Sequence, residues 1–154
     1  MKTLIINLGL LLLYTLSFGQ ISEGEDGRYY ADNNVLYNGV YQEYFSNGKL
    51  KMEMGVKNGL TDGITKTYFL NGELKEIRSY LAGKFHGTWI TFDENGNKLA
   101  QANYKNNKKD GKWLIWDENG VLRYEMEYEM GEKTGLWKEY SPEGQLLKEK
   151  SYNH

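Results

Sequence analysis

The sequence predicts an all-β fold in which tandem β-hairpins of 24 residues form an elongated, twisted antiparallel sheet. Composition is the first observation that predicts it: the 154-residue chain contains 18 Gly and one Pro, with 13 Tyr, 4 Trp and 5 Phe. Glycine weakens helix interiors and aromatic residues favour strands, so this balance is typical of β-structure. The other two observations are a glycine that recurs every 24 residues and an Asn-Gly pair that recurs after an aromatic segment.

Residues 1–19 are predicted to be a secretory signal peptide and not part of the fold. A short basic start precedes a largely apolar run (residues 4–18), and Ser17 and Gly19 are small residues at the −3 and −1 positions of a cut before Gln20. An uncleaved anchor is the alternative, but the apolar run is shorter than the roughly 18–20 residues that a membrane span needs. We therefore expect a secreted, periplasmic or cell-envelope protein with no membrane span after cleavage.

Residues 20–38 are predicted to form an acidic leader and a degenerate N-terminal cap. The stretch 21–27 is polar and acidic. Two short segments after it, 28–30 and 35–37, are rich in tyrosine and aliphatic residues but lack the full repeat pattern.

Residues 39–154 are predicted to consist of five repeats, each beginning at a marker glycine. The markers are Gly39, Gly63, Gly87, Gly111 and Gly135. At offset two from the marker stand Tyr41, Thr65, Trp89, Trp113 and Trp137. At offset five stand Tyr44, Tyr68, Phe92, Trp116 and Tyr140, and at offset 17 stand Val56, Tyr80, Tyr104, Tyr128 and Tyr152. Agreement at several positions over five copies is a far stronger signal than one short motif.

Each repeat is predicted to be one hairpin that turns at offsets eight and nine. Four copies carry Asn-Gly there, which tolerates the positive φ values of a two-residue type I′ turn. The fifth copy carries Glu143-Gly144 and is expected to use a different turn. In the third copy Lys98 replaces a leucine, so a register slip or a local bulge is expected there. A second loop, such as 82–87, returns the chain to the next hairpin.

The orientation of the strand faces has two possible solutions. Side chains alternate along a regular strand, so the aromatic residues at offsets two and five would point to opposite faces. Either both faces carry aromatic cover, or a bulge between the two offsets restores a common face. In the fourth copy, simple alternation places Leu122, Tyr124, Met126 and Tyr128 together on one face.

Neighbouring hairpins are expected to pair edge to edge in a quasi-one-dimensional stack without a central core, because a lone hairpin buries too little apolar surface. The strand that ends at Tyr152 is predicted to be an edge strand. Its charged residues Lys148, Glu149 and Lys150 are expected to oppose edge-to-edge association.

The pattern Gly-x-Trp-x-x-Tyr, then Asn-Gly-x-Leu, then Tyr-x-x-Gly-x-x-x-Gly resembles the MORN-repeat variant family over about residues 28–154. Thr65, Lys98, Asn107 and Glu143 depart from the pattern at single positions. The resemblance implies a β-hairpin repeat scaffold that binds protein and has no catalytic activity. Many bacterial members are YwqK-type antitoxins of toxin–antitoxin systems, and a secreted member would act like an immunity protein against a toxin met in the envelope.

The composition argues against most catalytic and cofactor-dependent classes. Cysteine is absent, and His86 and His154 are too few for a catalytic triad or a multi-histidine metal site. A net charge of −2 argues against a nucleic-acid binder that relies on phosphate neutralisation. We expect no enzyme activity, no cofactor and no metal, and we interpret His86 as a structural or solvated loop residue.

The candidate binding face consists of the aromatic residues Trp89, Phe92, Trp113, Trp116, Trp137 and Tyr140. Tryptophan and tyrosine dominate interface hot spots, but sheet packing is the competing interpretation because every copy needs aromatic cover. Trp113 and Trp116 are the best candidates for an exposed pair, since only the fourth copy has Trp at both offsets. The basic loop 105–110 and carboxylate pairs such as 93–94 are interpreted as solvated loop and turn residues.

The leading functional hypothesis is a secreted scaffold that binds an unidentified protein partner. The alternative is a cell-wall or glycan-binding surface module that uses exposed aromatic residues. An enzyme is the least favoured class, and lipid binding is disfavoured because the mature chain is acidic and has no polybasic helix.

Overall fold

The computed structural model describes residues 21–152, and it shows an all-β protein built on one long antiparallel sheet. Ten main strands follow one another across the sheet in chain order. Their bounds are Gly39–Tyr44, Leu50–Lys57, Leu60–Tyr68, Leu74–Leu81, Gly87–Phe92, Lys98–Lys105, Gly111–Trp116, Leu122–Glu129, Glu132–Tyr140 and Leu146–Tyr152. Two short strands, Lys84–Phe85 and Lys108–Lys109, precede the third and fourth hairpins. The predicted fold of consecutive hairpins is confirmed, whereas the predicted signal peptide lies outside the described residues.

The five hairpins share one register, in which the marker glycine faces the residue at offset 17. The facing pairs are Gly39–Val56, Gly63–Tyr80, Gly87–Tyr104, Gly111–Tyr128 and Gly135–Tyr152. Each marker has a positive φ, between 64° and 150°. Side chains are strained in that region, which explains why the position is glycine in every copy.

The turns inside the hairpins are three-residue loops, so the prediction of two-residue type I′ turns was wrong. In the first copy, the Phe45 N–H donates to the Lys49 carbonyl at 2.8 Å and the Gly48 N–H donates to the Phe45 carbonyl at 2.9 Å. Gly48 has a φ of 82°, but Asn47 is not among the residues with positive φ. This arrangement is a type I turn followed by a left-handed glycine, and it needs positive φ at one residue only.

The fifth hairpin uses the same turn, so the expectation of a different turn at Glu143-Gly144 was also wrong. The Ser141 N–H donates to the Gln145 carbonyl at 2.8 Å, and the Gly144 N–H donates to the Ser141 carbonyl at 2.9 Å. Glutamate fits before the glycine because that residue need not adopt a positive φ in this turn.

Two-residue turns with positive φ at both positions occur instead between the hairpins. These return turns are Asn58-Gly59, Ala82-Gly83, Asn106-Asn107 and Met130-Gly131. Their flanking residues pair directly, as Leu81 does with Lys84, which is the arrangement of a type I′ hairpin turn. The second residue of each turn donates its N–H to the carbonyl two residues before the marker of its own repeat, as Gly83 does to the Thr61 carbonyl at 2.8 Å.

A bulge after the turn of every hairpin determines which side chains of the second strand lie on each face of the sheet. In the fourth copy Trp116 faces Leu122 and Ile115 faces Tyr124, so Arg123 is the extra residue. Leu122 and Tyr124 therefore point to opposite faces, and the prediction that they share one face was wrong. The first strand is regular from offset two to offset five, so both faces of the sheet carry aromatic residues.

The third hairpin has the same register as the others. Phe92 faces Lys98 just as Tyr68 faces Leu74. The expected slip is therefore absent from this hairpin, and the expected bulge is present but common to all five copies. The Lys98 ammonium lies 5.4 Å from the ring centroid of Trp116, so its aliphatic stem covers the surface that leucine covers elsewhere.

The N-terminal segment forms a separate three-stranded sheet against the first repeat. Its strands are Ser22–Glu23, Tyr29–Ala31 and Val35–Leu36, with a 3-10 turn at Asp32–Asn34. The Tyr29 N–H donates to the Gly59 carbonyl at 2.8 Å, and the Tyr29 ring stacks on Tyr41 with centroids 6.4 Å apart. The segment thus rests on the aromatic position of the first repeat.

The described residues have no large central core. The buried hydrophobic side chains among residues 21–152 are Met54 and Val56, each 5% exposed. Most other strand residues are half-buried, because a single layer leaves both of its faces partly in solvent. Gly39–Tyr44 and Leu146–Tyr152 are the outermost strands, which confirms the predicted edge at Tyr152. No helix in the described range is long and apolar enough to span a membrane.

Candidate functional site

One face of the sheet carries a continuous row of tryptophan and tyrosine rings, which we call the ladder face. The row alternates residues at offset two with residues at offset 17. Its members are Tyr80, Trp89, Tyr104, Trp113, Tyr128, Trp137 and Tyr152. Successive ring centroids are 4.7 to 6.1 Å apart, and the ring planes are inclined by 46° to 62°. Inclined ring pairs at these distances are favourable, so the row packs each hairpin against the next.

Each ladder tryptophan also forms a hydrogen bond to the backbone of the preceding repeat. The indole N–H groups of Trp89, Trp113 and Trp137 donate to the carbonyls of Ser79, Asn103 and Glu127, at 3.4, 3.1 and 3.0 Å. These carbonyls lie at offset 16, next to a break in the pairing with the following hairpin: Glu127 pairs with Thr134 but Glu125 pairs with Lys138, so the stretch 135–137 contains extra residues. The indole therefore satisfies backbone at a discontinuity of the sheet.

Cationic side chains cover the ladder on its solvent side. The Lys109 ammonium lies 4.1 Å from the Trp113 centroid and 4.7 Å from the Tyr128 centroid. Lys133 occupies the corresponding position one repeat later, 4.4 Å from the Trp137 centroid. Such contacts are worth roughly 0.5–1 kcal/mol at exposed sites. They also occupy ring faces that a ligand would otherwise reach.

Burial in the ladder raises the pKa of Tyr104 above the usual tyrosine value, because desolvation disfavours the phenolate. The positive charge of Arg78 acts in the opposite direction but is the smaller effect. Burial is also the main cause that raises the pKa of Tyr29, which stacks on the first repeat. These phenols therefore remain neutral at physiological pH and contribute packing, not charge.

The opposite face carries a second apolar row beside the hairpin turns, which we call the aromatic–leucine row. In each hairpin the residue at offset five faces the residue at offset 11. The pairs are Tyr44–Leu50, Tyr68–Leu74, Phe92–Lys98, Trp116–Leu122 and Tyr140–Leu146. Tyr44 and Leu146, at its two ends, are 54% and 53% exposed. Ion pairs border the row, such as Lys112–Glu125 at 3.3 Å.

The six residues predicted as one binding face are divided between the two faces. Trp89, Trp113 and Trp137 belong to the ladder, whereas Phe92, Trp116 and Tyr140 belong to the aromatic–leucine row. All six are half-buried. The prediction of an exposed Trp113 and Trp116 pair was wrong, because a spacing of three along a regular strand directs two side chains to opposite faces.

The carboxylates beside the turns make local hydrogen bonds. Asp93 Oδ1 accepts the N–H groups of Asn95 and Asn97 at 2.9 and 2.8 Å. The Asn97 side-chain amide, together with these backbone groups, lowers the pKa of Asp93. Asp117 makes the equivalent bonds one repeat later. These contacts support the interpretation of both residues as turn residues.

The remaining candidates also take part in local backbone contacts. His86 lies half-buried before Gly87, and its N–H donates to the Ser79 carbonyl at 3.0 Å. In the predicted loop 105–110, where the structure has a return turn between two strands, the Asn107 side chain accepts the Phe85 N–H at 2.7 Å. Across residues 21–152, no group of three His, Cys, Asp or Glu side chains is placed to hold a metal ion.

The sequence prediction does not include two components of the ladder face. The tyrosines at offset 17 are part of the repeat pattern, but they are absent from the predicted face. Lys133, two residues before its marker, is not named, and the corresponding Lys109 appears only within the basic loop 105–110, which is interpreted as solvated. Their 24-residue periodicity is a signal that could have found them, but only the strand register shows that these offsets are neighbours.

The MORN repeat variant family matches the chain in five consecutive segments, residues 37–58, 61–82, 85–106, 109–130 and 133–154. Each matched segment begins two residues before a marker glycine, and the first four end at the first residue of a return turn. A comparison with curated proteins gives no match. Because the five segments cover most of the chain and each coincides with one hairpin, the chain belongs to the MORN repeat variant family.

Proposed function

We propose that this chain is a non-catalytic, secreted repeat scaffold that binds a protein partner through the face opposite the ladder. The aromatic–leucine row carries the proposal, because it extends over all five hairpins and no second layer covers it within residues 21–152. An apolar strip with a charged border has the composition of a protein interface, and aromatic residues are enriched among its strongest contacts. The lack of cysteine and the two histidines support a role without catalysis.

The glycan-binding alternative receives less support from the ladder face. Stacking on a sugar needs a flat and accessible aromatic surface. The ladder rings are inclined to one another, the indole N–H groups of its three tryptophans are bonded to backbone, and ammonium groups lie over several rings. These features indicate that the ladder joins hairpins and is poorly suited to stacking on a sugar.

Secretion is part of the proposal and is supported by the signal-peptide pattern of residues 1–19. The chain recovered from the envelope or the medium should have the intact mass of a product that begins at Gln20. Recovery of a product that retains Met1 in the membrane fraction would favour the anchored alternative. An antitoxin-like or immunity-like role follows if the partner proves to be a toxin encountered in the envelope.

A pull-down from the envelope fraction, with residues 20–154 as bait, tests the binding face. Two neighbouring residues of one strand provide matched variants. Trp116→Ala removes a ring from the aromatic–leucine row, whereas Ile115→Ala truncates a residue on the ladder face that is 38% exposed. We expect one protein to be recovered stoichiometrically by the wild type and by Ile115→Ala, and to be lost with Trp116→Ala.

Thermal unfolding of both variants serves as the control for folding. A partner lost with Ile115→Ala but kept with Trp116→Ala would place the interface on the ladder face. Retention on isolated wall polysaccharide, without recovery of any protein, would support the glycan-binding alternative instead.

A further inference from the structure

The two outermost strands each have one edge without a strand partner in the described part of the chain. Gly39–Tyr44 pairs with the second strand of the first hairpin, and Leu146–Tyr152 pairs with the first strand of the fifth hairpin. Within residues 21–152, no hairpin precedes the first edge and no hairpin follows the second. The first edge is therefore the side on which a preceding hairpin would pair, and the second edge is the side on which a following hairpin would pair. Such edges could pair with each other as two neighbouring hairpins do.

We propose that these edges pair between copies of the chain, so that Leu146–Lys150 of one copy extends the sheet at Gly39–Tyr44 of the next. The copies would then associate head to tail, by the antiparallel pairing that already joins hairpins within the chain. This inference is independent of the proposed binding face.

The register of the contact follows from the internal junctions between hairpins. There, offset 13 faces offset four, offset 14 faces offset three, and offset 15 faces offset two. The first junction shows all three pairs: Met52–Thr67, Glu53–Lys66 and Met54–Thr65. The fourth junction shows the same pairing of offset 13 with four and of offset 14 with three, in Tyr124–Glu139 and Glu125–Lys138.

Applied to two copies, this register places Lys148 opposite Glu43 and Lys150 opposite Tyr41. Opposite charges that face each other across antiparallel strands are favourable, and a lysine beside a tyrosine ring can form a cation–π contact. Lys150 already makes such a contact within its own chain, 4.7 Å from the Tyr152 centroid.

The ladder face has opposite charge at its two ends. Near the first strand stand Glu23 and Glu43, with Lys51 paired to Glu43 at 2.7 Å. At the other end of the sheet stand Lys133, Lys148 and Lys150, with one carboxylate, Glu139. An excess of carboxylates at one end thus meets an excess of ammonium groups at the other when the ends are joined, which favours encounter in this orientation.

The first edge also offers space for an added strand. A groove of about 580 Å³ lies between the strand Gly39–Tyr44 and the N-terminal residues Ile21, Ala31 and Tyr37. Apolar side chains are exposed at both edges: Val40 and Tyr44 at the first are 57% and 54% exposed, and Leu146 and Leu147 at the other are 53% and 62% exposed. Pairing would remove part of this surface from water.

The N-terminal segment limits the contact to residues up to Lys150. Within the chain, offset 17 pairs with the residue two positions before the next marker, as Tyr80 does with Phe85. At the first repeat, the residue two positions before the marker is Tyr37. It is already paired with Tyr29, whose carbonyl accepts the Tyr37 N–H at 2.9 Å. The intermolecular ladder therefore ends before Tyr152.

Pairing of two identical C-terminal edges is disfavoured by the same charges. An antiparallel pair centred on Glu149 would bring Lys148 of one copy opposite Lys150 of the other, and like charges in that position repel. Head-to-tail pairing avoids this repulsion. It uses two different surfaces, so association continues beyond two copies, to a closed ring or an open filament.

Light scattering coupled to size-exclusion chromatography tests the proposal on the full chain over a range of concentrations. We expect the molar mass to rise with concentration beyond that of a dimer. Lys148→Glu and Glu43→Lys should each weaken association about tenfold or more, because each puts like charges opposite one another. The double variant restores an opposite pair and should recover most of the association. Lys105→Glu, at the exposed end of the strand Lys98–Lys105 and away from both edges, is the matched control.

Three results would overturn the proposal. These are a monomer at every concentration, a mass that stops at two copies, and an association that neither single substitution changes. Circular dichroism of each variant shows whether it is folded, and recovery in the double variant excludes misfolding as the reason for loss in the single ones.

Discussion

At the scale of single residues, the tryptophan at offset two combines ring packing with a directed hydrogen bond. Trp113 lies between Tyr104 and Tyr128, with centroids 5.3 and 5.4 Å away. Its indole N–H donates to the Asn103 carbonyl, which also accepts the Asp110 N–H at 3.0 Å. Loss of the indole would therefore leave the Asn103 carbonyl with one hydrogen-bond donor, which limits the loss of folding free energy.

Trp113→Phe should lower the free energy of unfolding by about 1 kcal/mol for the hydrogen bond, with a further loss from the smaller ring. Trp116→Phe should cost less, because Trp116 lies outside the ladder and faces Leu122 on the opposite side of the sheet. Urea denaturation of both variants measures the difference. Equal losses would contradict a special role for the ladder position.

The second repeat shows how a departure from the pattern is accommodated. Thr65 takes the place of a ladder aromatic and is only 6% exposed, facing the buried Met54. The continuous row of tryptophan and tyrosine rings therefore begins later, at Tyr80, next to Trp89. Between Tyr41 and Tyr80 the ladder positions are held by the buried Val56 and Thr65, so the row of rings is interrupted where the first two repeats meet.

At the scale of the hairpin, two kinds of turn alternate along the chain. The turns within hairpins need a left-handed glycine at one residue, such as Gly120 with a φ of 77°. The return turns need a positive φ at two residues, and Met130 adopts a φ of 47° there. Methionine pays a steric cost in that region because its Cβ crowds the backbone.

Met130→Gly should raise the free energy of unfolding by about 0.5–1 kcal/mol, because glycine adopts positive φ without the Cβ penalty. Its N–H can still donate to Asp110, as it does at 3.0 Å. Asn119→Gly should lower the free energy of unfolding by about 0.5–1 kcal/mol, since it relieves no strain and increases the freedom of the unfolded chain. Thermal or chemical denaturation measures both changes. Stabilisation by Asn119→Gly would instead indicate a type I′ turn at that position.

At the scale of the whole molecule, stability is distributed along the sheet. Ten strands spaced about 4.8 Å apart span roughly 40 Å, and each hairpin contacts only its neighbours. The most buried apolar side chains, Met54 and Val56, lie near one end. Stability should therefore be a sum of hairpin and neighbour terms, and it should vary along the chain.

Native-state hydrogen exchange should reveal this variation. Amides of Leu50–Lys57 should exchange most slowly, since this strand is paired on both sides and contains the buried residues. Amides of Leu146–Tyr152 should exchange fastest among the main strands, because one edge is open to water at the low concentration of the experiment. A single common rate for the slow amides of all ten strands would show one cooperative unit instead.

The 24-residue period by itself determined the hairpin fold and the number of repeats, and the motif within each copy carried the resemblance to the family. That information is local: each copy carries its own glycine, aromatic and turn positions, and five copies repeat them. The same period located the aromatic residues at offsets two and five, but the predicted face left out the tyrosines at offset 17. The period did not show that Trp113 and Trp116 belong to different surfaces.

The tertiary structure alone decided the turn types, the bulges and the composition of the two faces. An Asn-Gly pair is compatible both with a type I′ turn and with a type I turn followed by a left-handed glycine, and the pairing of the flanking strands selects between them. Likewise, one extra residue such as Arg123 reverses the side-chain alternation after it. These features depend on which backbone groups meet across strands, and a linear pattern of residue types does not contain that information.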